Sequence, residues 1–262
     1  MKATYKLNAK VVNPPHALQI AAQIGILNFE NPAMKNFEDK DAIVVLAFGT
    51  TCKETREKTI GATVVAIQNA YKNTKIVTTL IPGIEYKYNV MLFHEYKSQF
   101  KKMTLATPLM YWQGQKNHPD DIAEVVSVLD FPQQNKGTAI LLMAHGTPDP
   151  SNAYNSVVQE KIFSLGRKDI CIYTVEGYPV LEDWIEKLKS KSIKKIILMP
   201  LMLVAGVHVL RDMSSENENS HKSILERAGF EVETILKGLG ENKKIRETYV
   251  KRTNDAWKVL TN

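Results

Sequence analysis

Continuous apolar runs alternate along this chain with segments whose apolar residues recur every three to four positions. The stretch AIVVLAF, 42–48, is an apolar, β-branched run without polar interruption, the pattern of a strand covered on both faces. Thr51 and Glu54 follow at the spacing of a helix capping box, and Ile60, Val64, Ile67 and Tyr71 recur at helical intervals. TKIVTTLI, 74–81, reads as a second strand. Strand, helix and strand in this order predict a parallel βαβ unit.

The alternation resumes after FPQQNKG. Strands are predicted at 138–144, 170–177, 193–203 and 230–236, and helices at 149–165, 178–190, 214–229 and roughly 243–260. Val180, Trp184 and Leu188 mark the apolar face of the second of these helices, and Gly229 supplies a C-terminal stop for the third. The resulting fold class is α/β: two three-layer domains with mainly parallel sheets and a central cleft, in which ligands lie beyond the C-terminal ends of the strands. Residues 1–40 break the pattern. PPHALQIAAQIGIL, 14–27, has room for a short helix, and this part is expected to be an extension packed on the main body.

The two halves echo each other. Phe48-Gly49-Thr50 after the first strand answers His145-Gly146-Thr147, and LIPGIE, 80–85, answers LVAGVH, 203–208. Glu85 and His208 thus stand two residues after a glycine in corresponding places. A duplication would bring both sets of strand ends to one cleft, although short apolar strands also resemble one another by chance. The segment between the glycines is longer in the second half, by a βα unit near 170–190. The division read from this is an extension at 1–40, a shortened α/β domain at 41–135 and a full α/β domain at 136–262.

Composition changes the picture little. The 262 residues are 44% hydrophobic and 24% charged, which supports a substantial core and argues against a disordered chain. Cys52 and Cys171 form no C-x-x-C pair, so neither a disulfide framework nor a zinc motif is expected. The polar start MKATYKLNAK lacks the apolar run of a signal peptide, and there is no 18-residue apolar stretch; a cytoplasmic protein without a membrane segment is the expectation. The net charge of +6 suits an anionic ligand as well as a solvated lysine-rich surface. EKLKSKSIKK has no interleaved aromatics, matches no nucleic-acid module, and its lysines suit a helix C-terminus.

Candidate chemistry collects at predicted strand ends. His145 follows the strand at 138–144, Glu176 ends the strand at 170–177, His208 ends the apolar run from 193, and Glu85 follows Pro82-Gly83. Imidazole and carboxylate are ligands for first-row divalent ions, and neutral imidazole accepts a proton near neutral pH. Gly146 and Gly206 would let backbone approach a flat ligand closely. Each residue also has a plainer reading: a histidine at a strand end caps backbone groups, and Glu176 suits a helix entry. Met143, Met199 and Met202 read as core, and His221, inside a polar helix, as surface. Rossmann, P-loop, H-E-x-x-H and G-x-S-x-G motifs are absent.

Together, VVLAFGTTCKETREKTI, LIPGIEY, LLMAHGTPDPSNAYN, YTVEGYPVLEDWIEKLK and the long block from IILMPLMLVAGVHVLRDM to IRETYV resemble the anaerobic cobalt chelatases of cobalamin synthesis over most of 42–250. The resemblance implies two pseudo-symmetric α/β domains of the class II chelatase type, and insertion of Co²⁺ into sirohydrochlorin or factor II without a nucleotide. It implies that His145 binds metal and accepts a proton, that His208 is a second metal-binding histidine, and that Glu85 and Glu176 occupy acidic cleft positions. The partner is then an anionic tetrapyrrole with eight carboxylates, which the basic balance suits. No residue pattern assigns a bound haem or an oligomeric state. The chain departs from the family pattern in three places. Val207 stands where the family usually has the aspartate of VAGDH, a strand and helix before IVTTLIPG are missing, and so is the usual histidine in that stretch. These departures keep two alternatives open, a non-catalytic tetrapyrrole or divalent-metal binding protein and an iron or nickel chelatase.

Overall fold

The computed structural model describes residues 25–36, 38, 40–80, 86–115 and 117–262. In chain order the elements are β1 (Leu27–Glu30), β2 (Ala42–Ala47), α1 (Lys53–Arg56), a π-helical segment (Glu57–Gly61), α2 (Ala62–Ala70), β3 (Lys75–Leu80), α3 (Tyr86–Tyr96), β4 (Lys102–Leu105) and α4 (Asp121–Val128). There follow β5 (Thr138–Ala144), α5 (Tyr154–Ser164), β6 (Ile170–Thr174), α6 (Glu182–Ser190), β7 (Lys195–Pro200), a second π-helical segment (His208–Met213), α7 (His221–Arg227), β8 (Glu231–Thr234) and α8 (Lys243–Thr261). These elements group into two compact units. One comprises Asp41–Gly83 and Leu109–Val250; the other comprises Met1–Lys40, Ile84–Pro108 and Lys251–Asn262.

The first unit carries a four-stranded parallel sheet in the order β6-β5-β7-β8. β5 is central, and Ala139 to Ala144 are each at most 4% exposed, which is why its sequence has no polar position. Alternate residues face opposite layers. Ala139, Leu141 and Met143 pack with Leu188 of α6, Leu225 of α7, and Val209 and Met213 of the second π-helical segment. Ile140, Leu142 and Ala144 pack with Ile122 and Val126 of α4 and Val158 and Ile162 of α5. The chain leaves β5 towards β6 on one side and returns through β7 on the other. The crevice between the ends of β5 and β7 is therefore the switch point at which doubly wound sheets bind ligands.

The same unit contains the predicted βαβ segment as a parallel pair, β2 with β3, aligned from Ala42 against Lys75 to Ala47 against Leu80. Its helical connection packs at Thr59 against Gly240, where a Cβ would meet the Thr59 Cβ at 2.8 Å. In the other unit β1 and β4 run antiparallel, Phe93 of α3 is buried, and the Asn31 side chain caps the turn at Pro32–Met34 through the Ala33 N–H. The sheets are therefore mixed, not parallel throughout.

Several local expectations are corrected. The helix after β2 is not entered through a Thr51–Glu54 box. Cys52 is its N-cap, Thr50 Oγ1 accepts from the Cys52 N–H at 3.2 Å, and Glu54 pairs with Lys58. The strand expected over 193–203 ends at Pro200. Leu201 to Leu203 stay apolar because they form a covered loop: their backbone bonds run to Met143, Leu239 and Gly240. β6 ends at Thr174, whose N–H turns to the Pro179 carbonyl. The helix expected from 214 begins at His221, capped by Ser220, whose Oγ accepts from Ser223 N–H. The helix considered for 14–27 falls almost wholly on residues outside those described. Among the described residues no helix is long and apolar enough to cross a membrane.

Candidate metal centre

Three loops meet at the switch point. The loop after β5 carries His145, the loop after β6 carries Glu176, and the stretch after β7 ends in the π-helical segment that begins with His208. One ligand atom from each of His145, Glu176 and His208 lies within 4.8 Å of the others. The imidazoles stand edge to face with centroids 5.1 Å apart, and His145 Nδ1 is 4.0 Å from Glu176 Oε2. The sequence-based expectation placed both His208 and Glu176 at strand ends. His208 instead opens a helical turn, and Glu176 lies in a loop anchored by its N–H to the His145 carbonyl at 2.8 Å.

Backbone packing explains how the loops come so close. Gly146 has a φ of +74°, and a Cβ there would lie 2.6 Å from the Thr174 Cβ and 2.9 Å from the Gly177 nitrogen. Gly206 lies against Thr50, whose Oγ1 would be 2.7 Å from a Cβ at that position. Both glycines allow a close approach of chain to chain. Glu85 lies outside the described residues.

Hydrogen bonds define the ring tautomers. His145 Nδ1 lies 2.9 Å from the Gly146 carbonyl oxygen, and His208 Nδ1 lies 2.7 Å from Asp212 Oδ2. A carbonyl and an ionised carboxylate only accept, so each Nδ1 carries a proton, and in the neutral ring each Nε2 keeps the lone pair. The Arg211 guanidinium holds the Asp212 carboxyl below its ordinary range, against the opposing effect of burial; the His208 bond adds to the lowering. Asp212 was not singled out from sequence. Its i,i+4 spacing from His208 was the available signal.

A cleft of about 610 Å³ opens at these residues, lined by His145, His208, Gly206, Phe48, Thr50 and Leu203 among others. Its volume falls in the range of small-molecule pockets, roughly 300–1,000 Å³. Phe48 is 47% exposed and lies 5.6 Å from His145, ring centre to ring centre. Phe48 and His145, which answer each other in the sequence echo, thus line the same cleft. Neither cysteine belongs to the cluster; burial pushes the Cys171 thiol up to about 11.

His221, expected at the surface, is half-buried, and its Nδ1 lies within hydrogen-bond distance, 2.9 Å, of the Tyr173 hydroxyl. Burial lowers the His221 pKa from 6.5. As pH falls through the ordinary histidine value of about 6.5, the unfolded chain takes up a proton that the folded protein resists, so stability falls with pH. H221N, whose amide keeps a hydrogen-bonding group for Tyr173, is expected to flatten that acid-side loss. Thermal unfolding between about pH 7.5 and pH 5.5, one unit either side of the free value, checks this. Parallel Tm curves for wild type and variant would refute it.

Comparison with known proteins follows the same lines. The profile of the family described as cobalt chelatase (CbiK) matches residues 68–258. A sirohydrochlorin cobaltochelatase of Salmonella typhimurium is 29% identical over 179 residues, covering 68% of this chain and 65% of that protein. Sirohydrochlorin cobaltochelatase CbiKC of Nitratidesulfovibrio vulgaris is 27% identical over 168 residues, covering 62% of this chain and 57% of that protein. The chain thus spans about two thirds or less of the length of these curated relatives. A solved cobalamin (vitamin B12) biosynthesis CbiX protein from Marinobacter aquaeolei overlays 48% of this chain and 98% of its own, with 18% identity and a TM-score of 0.38. With the family profile matched over well more than half its length, the chain belongs to the cobalt chelatase (CbiK) family.

Proposed function

We propose that this protein inserts Co²⁺ into sirohydrochlorin or its factor II form, without a nucleotide, as a step of anaerobic cobalamin synthesis. The observation that carries the reading is the convergence of His145, Glu176 and His208 within 4.8 Å in a chain of this family. The relatives' names supply the metal and the macrocycle.

Metallation replaces two pyrrole N–H protons with one divalent ion. The protein must hold Co²⁺ firmly enough to collect it and loosely enough to pass it to four ring nitrogens. Two neutral imidazoles and one carboxylate form a borderline ligand set suited to late first-row divalent ions, and three protein ligands leave coordination positions open for the macrocycle. In this reading His145 and His208 bind the metal through Nε2, Glu176 supplies the oxygen ligand, and His145 takes up one of the two leaving pyrrole protons once the metal has moved on, the other passing to solvent water. Phe48 and the apolar wall from Leu201 to Val204 offer a face to the ring. The halves marked by Phe48-Gly49-Thr50 and His145-Gly146-Thr147 are read as pseudo-symmetric sides of the cleft. The net charge of +6 favours a polycarboxylate.

Anaerobic absorbance spectroscopy tests the proposal. Sirohydrochlorin and Co²⁺ are mixed with and without protein, and spontaneous insertion is subtracted. Catalysed conversion, fastest with Co²⁺ among Co²⁺, Fe²⁺ and Ni²⁺, is the expected result. Macrocycle binding without any rate above background would replace it with a tetrapyrrole-binding role; a faster rate with Fe²⁺ or Ni²⁺ would reassign the metal.

A further inference from the structure

His208 begins a π-helical turn that is held from below. Val209 and Met213 are fully buried in the core under β5, and Ser214 Oγ donates to the Val209 carbonyl at 2.8 Å. With those two residues anchored, His208 and Asp212 emerge together at i,i+4 spacing, and Nδ1 meets Oδ2 at 2.7 Å. The carboxylate is itself clamped. Arg211 Nε donates to Oδ1 at 2.6 Å and Nη2 to Oδ2 at 3.2 Å. Asp212 is not one of the three residues whose ligand atoms converge within 4.8 Å. Its neighbours in the sequence offer no substitute: Val207, directly before the histidine, has no side-chain acceptor.

We infer that Asp212 is the positioning residue of this site, holding His208 in the Nδ1–H tautomer so that its Nε2 lone pair is available to the metal. The inference rests on the reading of His208 as a metal ligand. A carboxylate cannot donate, so the ring beside it must place its proton on Nδ1. A histidine without such a partner distributes the proton over both nitrogens and turns about its side-chain bonds, and both effects weaken a ligand. The clamp by Arg211 also keeps the carboxylate from swinging out to bind the ion itself. Placing the pair on one anchored helical turn fixes their relation better than two loops would.

The test uses the metal-free full chain and Co²⁺ alone. Nitrogen-15 NMR of the histidine rings reads the tautomer, with H208A identifying the signal, and calorimetric titration reads Co²⁺ affinity. Wild type is expected to show His208 as the Nδ1–H form. D212A is expected to spread the proton over both nitrogens and to weaken Co²⁺ binding about 10–100-fold. D212N is isosteric and guards against loss of fold. Because Arg211 Nε claims the amide oxygen, the amide N–H₂ faces His208 Nδ1, and the proton should move to Nε2 with a similar loss of affinity. A change of tautomer together with loss of affinity in either folded variant supports the inference. If both variants keep the wild-type tautomer and affinity while H208A loses binding, the positioning role is overturned and the ligand role stands. If H208A binds Co²⁺ as wild type does, the ligand role falls and the inference with it.

Discussion

Alanine at His145 is expected to slow the proposed metal insertion about 10²–10⁴-fold, the range for loss of a positioned acid–base group. The side chain is at the centre of the cluster: 4.0 Å from Glu176 Oε2, edge to face with His208, and beside Phe48. Its Nδ1 is committed to the Gly146 carbonyl, so Nε2 is the nitrogen with work to do. The two histidines should fail differently. H145A leaves His208 and Glu176 to retain some Co²⁺ affinity, so the loss should fall mainly on kcat. H208A removes the imidazole held by Asp212, so the loss should fall more on the Co²⁺ concentration required. Steady-state rates over a Co²⁺ series, at fixed macrocycle and with the spontaneous rate subtracted, separate the two. Unchanged kcat in H145A would remove its proposed proton-accepting role.

The second large effect concerns a residue with no chemistry. G146A is expected to lower stability by about 2–5 kcal/mol, adding a left-handed backbone cost of about 1–2 kcal/mol to an overpacking cost of about 1–3 kcal/mol. The added Cβ would meet Thr174 Cβ at 2.6 Å and the Gly177 nitrogen at 2.9 Å. Neither is the end of a flexible side chain, so the loop carrying His145 must move away from the loop carrying Glu176. Activity should fall even at temperatures where the variant stays folded. Gly137 provides the control: its φ is +79°, close to the +74° of Gly146, but nothing lies within 4 Å of a Cβ there. G137A should cost only the backbone part, about 1–2 kcal/mol. Denaturant unfolding of both variants measures the difference, and equal losses would mean that packing between the two loops contributes nothing.

The strands of the main sheet were legible because burial on both faces leaves a mark in the sequence. Ala139 to Ala144 have no polar residue for the same reason that they have almost no exposed surface. Of the helices covering them, α6 was legible from its apolar periodicity, and α5 and α7 from the residues at their ends. Other elements carried no such mark. α3 and α4 were not foreseen, nor was the antiparallel pairing of β1 with β4, whose partners lie far apart in the chain: Leu27 faces Leu105 and Glu30 faces Lys102. Where the apolar run beyond β7 stopped being a strand was equally illegible. Residues buried by a loop and residues buried in a sheet have the same hydropathy, and only the backbone bonds of Leu201 to Leu203 distinguish them.

The site divides along the same line. By itself the sequence determined which side chains could bind a divalent ion and that an α/β fold would carry them near strand ends, because residue type and hydrophobic period are local properties. It also carried the echo in which Phe48-Gly49-Thr50 answers His145-Gly146-Thr147. The tertiary structure alone decided that His145, Glu176 and His208 come within 4.8 Å, since those loops are joined only by the strand order β6-β5-β7. It also decided which nitrogen of each histidine is left with a lone pair, and that His221 is half-buried against Tyr173 and not at the surface. Proton placement and burial depend on which atoms the folded chain brings to within 3 Å or so of a ring, and hydropathy along a sequence holds no record of them.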